Sequence, residues 1–361
     1  MVRPTTVAGL LAGLLTCSPA TLHADDDAPR YPEGAAIPAD MTAAETRYVV
    51  EFPLTAERGA TPPPVGPIFC PPEYAPMEAI LVAYEGPGSW KDILDQMAAE
   101  ITTTGDADVI VVVDTQSEAS SARSFMINAG ADPDRVFTFV RSTDTIWIRD
   151  YGPRFIFQGD VRAIVDHTYN RPRPNDNALP ASFGGARNHP VYEIPLVHGG
   201  GNFHLDGLGR SQTTRLIVDE NPDLTEQEID QLWQDFQNLD TTFHNPYPQN
   251  IDSTQHIDMW MQITGDDTAV ISDWPLNPGS AQDIVCETAV SILEFLGYTV
   301  TRVPAFSVGG THYTYTNVVM CNDLVLLPYY DGVQQAYNDQ ALAAWQSAAP
   351  DKQIIQIDCD A

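Results

Sequence analysis

Cationic side chains are scarce in this chain: 18 Lys and Arg stand against 49 Asp and Glu, a formal net charge of −31. Such a field repels phosphate backbones and anionic lipid surfaces, which argues against nucleic acid or anionic membranes as partners. It would attract a cationic ligand, although the solubility of an exported or salt-adapted protein explains the charge equally simply. Cysteine is sparse, five in 361 residues, and no Cys-x-x-Cys pair occurs, so neither a structural zinc site nor any other metal or cofactor is expected. Long apolar runs are missing as well. The stretch at residues 7–15 is too short to anchor the chain permanently in a bilayer, so no stable membrane insertion is expected.

What is present begins with an export pattern. Arg3 supplies a positive end, residues 7–15 an apolar segment, and Ser18-Pro19-Ala20 or Leu22-His23-Ala24 a small-residue exit, so residues 1–24 read as a signal peptide of a secreted or periplasmic protein. Leu14-Leu15-Thr16-Cys17 resembles a lipoprotein processing site, with threonine where a smaller residue is usual. Past the signal, Cys70, Cys286, Cys321 and Cys359 could form two bridges in an oxidising compartment, their pairing left open by the wide spacing. Residues 25–68 are acidic and then proline-rich, a leader that lies over the domain surface or stays mobile. A hydrophobic content of 43% suffices for a full core, and the folded domain is expected at 69–361.

Within it, apolar runs at 79–84 and 108–113 read as strands buried on both faces, with helices at 90–101 and 117–128. Thr225 and Glu228 form a capping box ahead of a helix at 226–239, whose apolar stripe is Ile229, Leu232, Trp233, Phe236 and Leu239. Further helices are expected at 281–296 and 334–347, and strands at 299–303, 314–320, 324–328 and 353–357. One helix with three or four strands, recurring about four times, suggests an α/β repeat architecture. The last strand opens a further unit that then stops, which in a radial repeat would expose an edge, so the chain is expected to be incomplete.

Four polar motifs punctuate this pattern: Trp147-Ile148-Arg149-Asp150-Tyr151-Gly152-Pro153, Gly199-Gly200-Gly201-Asn202, His256-Ile257-Asp258 and Thr314-Tyr315-Thr316-Asn317. Two carboxylates, a histidine and a carboxamide suit binding and protonating a guanidinium. Asp150 is expected where a strand gives way to a turn; alone it could equally be a turn former or a partner of Arg149 or Arg154. His256 and Asp258, two apart on an expected strand, would share one face, where burial costs free energy unless they pair or serve a ligand. A satisfied core hydrogen bond, or a metal pair with His198 or His204, would also account for them. The glycine turn has no helix after it, so it cradles no phosphate; it is either a close backbone approach or a plain bulge. Arg171-Pro172-Arg173 presents two arginines that could fork a carboxylate or make a structural ion pair.

In order and spacing these motifs resemble the bacterial peptidylarginine deiminase and agmatine deiminase family, from about residue 70 onward. The resemblance implies a five-bladed, pseudo-symmetric α/β propeller, the pentein fold. It also implies hydrolysis of a guanidinium to a ureido group with loss of ammonia. Asp150 and Asp258 would grip the guanidinium, His256 would act as acid and base, and Trp147, Asn202 and Asn317 would contact the substrate. The family's nucleophile is a cysteine in a Gly-rich His-Cys segment after the last strand; neither Cys359 nor Cys321 matches that setting, and none is assigned. A glycine stands where agmatine-specific members carry a glutamate. With export and the pair Arg171 and Arg173, this favours a peptidyl or C-terminal arginine substrate over agmatine. A non-catalytic protein binding guanidines or arginine-containing peptides is the alternative.

Overall fold

The structure is a computed structural model that describes residues 28–56, 61–333 and 335–359; the expected signal peptide and Cys17 lie outside them. The first unit is a parallel sheet of Ala79–Ala83, Asp108–Val113 and Val136–Val140, crossed by helices Gly88–Thr103 and Gln116–Asn128. Asp108–Val113 is buried after its first residue because both its faces are covered, which its unbroken valine and isoleucine run demands.

Four further units repeat another scheme: two antiparallel strands, a helix, then a strand returning parallel to the second. In the second unit these are Arg154–Gln158, Val161–Tyr169, helix Leu179–Arg187 and Val191–His198. The third uses His204–Leu205, Arg210–Thr214, helix Glu226–Gln237 and Asp240–His244. The fourth uses Met261–Gly265, Thr268–Asp273, helix Ala281–Phe295 and Thr299–Pro304. The fifth uses Val319–Cys321, Leu324–Tyr329, helix Gln335–Ala348 and Gln353–Asp358.

Neighbouring units share cores. Ile110 of the first packs with Ile164 and Phe183 of the second, and Ile156 and Leu196 of the second with Trp233 and Phe236 of the third. Arg210 of the third donates to the Leu296 carbonyl of the fourth at 3.1 Å. Val270 and Val303 of the fourth pack with Met320, Val325 and Trp345 of the fifth. Leu324, Leu326 and Ile357 of the fifth then join Val109, Val111 and Ala98 in one core, so the last unit rests on the first.

The capping box at Thr225 and Glu228 forms as expected. Three expectations do not hold. Residues 314–318 are irregular and only Val319–Cys321 is strand, because Thr314 and Thr316 spend their hydroxyls on the carbonyls of Met259 and Asp258. His256 and Asp258 belong to a 3-10 turn at Ile257–Met259 rather than a strand, and Asp150 to a single helical turn, Ile148–Tyr151. The described part of the leader, by contrast, lies over the domain, one of its two expected alternatives, and includes a helix at Ala43–Glu51 closed by a capping box of Thr42 and Glu45.

Trp345, fully buried, donates from Nε1 to the Tyr315 carbonyl at 2.7 Å and so ties the fifth unit's helix to the irregular segment. Trp345→Phe keeps an aromatic ring but leaves that carbonyl unpaired, so we predict a loss of about 1–3 kcal/mol, read from the urea midpoint.

Candidate active site

The four polar motifs occupy the four connections between successive units: residues 141–153, 199–203, 245–260 and 305–318, the last carrying a short hairpin of Phe306–Val308 and Thr311–Tyr313 before its motif. These connections meet. The Gly201 N–H donates to Asp150 Oδ1 at 3.0 Å, and His256 Nδ1 lies 3.3 Å from the same oxygen. A Cβ on Gly201 would sit 2.7 Å from Asp150 Oδ1, 2.7 Å from Asp258 Oδ2 and 2.8 Å from His256 Nδ1. One on Gly200 would fall 2.2 Å from the Arg149 carbonyl. The glycine run is therefore a close approach, but to the site's own side chains rather than to a ligand.

Burial fixes the electrostatics. Asp150, Asp258 and His256 are 6%, 4% and 2% exposed. Burial disfavours the Asp150 carboxylate, but His256, Arg171 and the Gly201 N–H outweigh it and hold the carboxyl below its usual range. Burial also opposes charge on His256; the bonded Asp150 and the nearby Asp258 overcome it and push the imidazole up to about 9. Asp258 differs. Burial pushes it up to about 7, with Asp150 and Asp252 adding repulsion that His256 and Arg149 only partly offset. Burial and charge, with no hydrogen bond among the described residues, set its titration, and His256 Nε2 is buried without a partner among those residues. One ion pair is thus internally satisfied, beside an acidic group that is not.

The other candidates fall into two groups. Asn317, half-buried, donates to the sulfur of Met259 at 3.6 Å, beside Asp258. Trp147 stands three residues before Asp150, edge-on to Trp90, with its Nε1 donating to the Ile37 carbonyl of the leader. Asn202 does not contact the cluster through its amide. It accepts from Thr214 N at 3.1 Å and donates to Thr214 O at 3.4 Å, pinning the glycine turn to the next strand, so its expected substrate role is corrected to a structural one. Arg173 is likewise corrected: its guanidinium is buried against Glu45 at 2.8 Å and against leader carbonyls. Arg149 pairs with Glu73 at 3.0 Å, and Arg154 lies over the Phe203 ring with Nη2 donating to His198 Nε2 at 3.3 Å, so neither is the partner of Asp150.

Sequence reading missed three contributors. His167 donates to the Asp150 carbonyl at 3.0 Å. Asn170 flanks Gly199 beside His256 and donates to Glu220 at 2.5 Å, leaving Asn170 Oδ1 and Glu220 Oε2 buried without partners among the described residues. Burial pushes Glu220 up to about 7. Isolated polar residues at strand and helix ends give no periodic signal, and only their juxtaposition exposes them. Of the four described cysteines, none is in a disulfide, so the possible bridges do not form among them. Cys70, Cys286 and Cys321 are buried in apolar cores, where desolvation raises the thiol; Cys359 packs against the core of the first and last units.

Closely packed acidic groups around one imidazolium, carried on a mixed α/β repeat, define the class as a pentein-type fold with a buried, acidic centre. The Porphyromonas-type peptidyl-arginine deiminase family model matches residues 69–361, and the chain belongs to that family. The agmatine deiminase of Stutzerimonas stutzeri is 24% identical over 245 residues, 63% of this chain and 66% of that protein. The first curated relatives are matched over only about half of their length. Among solved structures, a substrate-bound agmatine deiminase of C. jejuni superposes with a TM-score of 0.68 at 18% identity, covering 81% of this chain and 91% of that one. The agmatine deiminase of Enterococcus faecalis gives 0.68 at 19%, covering 81% and 90%. These likenesses establish the fold. Among the described residues, no helix is long and apolar enough to cross a membrane.

Gly201→Ala should force Asp150 and Asp258 away from His256. We predict that the His256 titration midpoint falls from about 9 toward its ordinary value, measured by NMR of the imidazole. The His256 contribution is fully present below about 6.5 and is lost as pH rises through about 9, so the stability gap between the parent and His256→Gln should narrow across that window.

Proposed function

We propose that this chain carries a guanidine-hydrolysing deiminase domain, in which Asp150 and Asp258 grip a guanidinium and His256 handles its protons. The observation that carries this reading is Asp258, a 4% exposed carboxylate without a donor from the described residues, next to a carboxylate already paired with an imidazolium. A planar cation with several N–H groups would supply what Asp258 lacks. His256, charged at neutral pH, can give a proton to departing ammonia and then, neutral, accept one from water.

The chemistry also needs a thiolate. It attacks the guanidinium carbon, the carbon–nitrogen bond breaks as ammonia leaves with a proton, and water then displaces sulfur to give the ureido product. None of the described thiols is in contact with the His256 cluster, so this reading assigns the nucleophile to none of them. In the same proposal the five units are blades of a pseudo-symmetric propeller, which the packing of the last unit on the first supports. Secretion or periplasmic export, with residues 1–24 as signal peptide, belongs to it too.

On substrate, the occupied Arg173 no longer supports a carboxylate-bearing arginine or arginine peptide, and the agmatine deiminases among the relatives support agmatine. The burial of Cys70, Cys286 and Cys321 favours a second reading, a protein that binds guanidines without turnover. Calorimetry paired with an ammonia assay separates the two: binding with ammonia release supports the enzyme, binding alone the second reading, and no binding sinks both.

Because Asp258 titrates near 7, guanidine affinity should rise as pH increases from about 6 to about 8. Asp258→Asn should weaken binding by about 1.5–3 kcal/mol and flatten that dependence, both read by titration calorimetry with agmatine.

A further inference from the structure

The family match begins at residue 69, yet the preceding leader is built into the shoulder of the site. Trp147 Nε1 donates to the Ile37 carbonyl at 2.8 Å, and Arg171 Nε to the Ala39 carbonyl at 3.0 Å. Arg173 is occupied at every nitrogen. Its Nε donates to Glu45 Oε1 at 2.8 Å and its Nη1 to Tyr169 Oη at 3.3 Å. Its Nη2 reaches Glu45 Oε2 at 3.2 Å and the carbonyls of Pro38 and Asp40 at 2.8 and 3.0 Å. The side chains of Arg173 and Glu45 are 1% and 0% exposed.

Glu45 is held in turn. It is the third residue of the leader helix, and its Oε2 accepts from Thr42 N at 2.7 Å, so the capping box fixes the carboxylate that fills the arginine fork. The pair is joined to the site through the chain segment beside it, where Arg173 donates to Tyr169 and Asn170 follows. Asn170, next to Arg171, flanks Gly199 beside His256, and Trp147 lies one helical turn from Asp150. A side-on, two-point carboxylate is the ligand an arginine fork takes best, and the leader delivers one from within the chain.

We infer that Glu45 is a specificity-determining residue, an internal carboxylate that fills the arginine fork and leaves the site open to guanidines lacking a carboxylate. This deepens the guanidinium reading and rests on it. A substrate carboxylate would have to displace a buried, doubly bonded partner together with the leader carbonyls of Pro38 and Asp40. An amine-terminated guanidine needs no such exchange. The selectivity would be a property of the docked leader and not of the matched domain.

Agmatine and arginine differ only in the α-carboxylate, which makes them the probes. Titration calorimetry on the full chain should show agmatine binding at least tenfold tighter than arginine. Glu45→Gln, which keeps the side chain's shape, and Glu45→Ala, which opens space, should each narrow that ratio at least fivefold. Acetate should raise the melting temperature of Glu45→Ala and not of the parent, because it refills the vacated fork. An agmatine-to-arginine ratio unchanged within twofold in both variants overturns the inference, as does acetate acting equally on parent and variant. If neither guanidine binds the parent, the functional reading falls and takes this one with it. Binding of agmatine with an unaltered ratio defeats the specificity role alone.

Discussion

Everything in the site depends on one buried interaction, the contact of His256 with Asp150 across the unsubstituted face of Gly201. An imidazolium and a carboxylate in an apolar interior are costly apart and tolerable together, so each fixes the charge of the other. That leaves Asp258 as the excess acid, close enough to be repelled by Asp150 and without a donor of its own. Among the described residues no hydrogen-bond donor meets it, and a cation is the partner that the proposed function supplies.

The fold supplies this geometry through its connections. Unit cores are ordinary strand-and-helix packing, but the links between units carry irregular, polar segments that side chains of neighbouring elements hold. Thr314 and Thr316 clasp the backbone of the His256 turn, Asn202 is bonded to Thr214, and His167 holds the Asp150 carbonyl. Backbone groups at the links are satisfied by side chains, which frees the irregular segments from joining a sheet. The leader adds a layer outside this frame, with an ion pair buried as deeply as the site itself.

Much of this was legible in the sequence because it is periodic. The helices at Glu226–Gln237 and Ala281–Phe295 announce themselves by a cap and an apolar stripe, and the valine-rich strands by unbroken burial. Asp150, His256 and Asp258 were recognisable as residues, but not their local conformation. An i, i+2 spacing reads as one strand face, whereas the 3-10 turn at Ile257–Met259 sends Ile257 into the core and both polar side chains to the centre. Asn202 and Arg173 misled for a related reason: each has the chemistry of a ligand contact, and each is spent on a distant partner, Thr214 or Glu45, that no local pattern identifies. Glu220 and Asn170 carry no motif and become visible only as neighbours.

If Asp150 and Asp258 together hold a guanidinium beside His256, a crystal structure of this protein grown with agmatine will display it. The expected density places the planar guanidinium between the two carboxylates, donating to Asp258, with His256 Nε2 facing it. A guanidinium bound elsewhere, with Asp258 contacted only by water, would contradict that assignment.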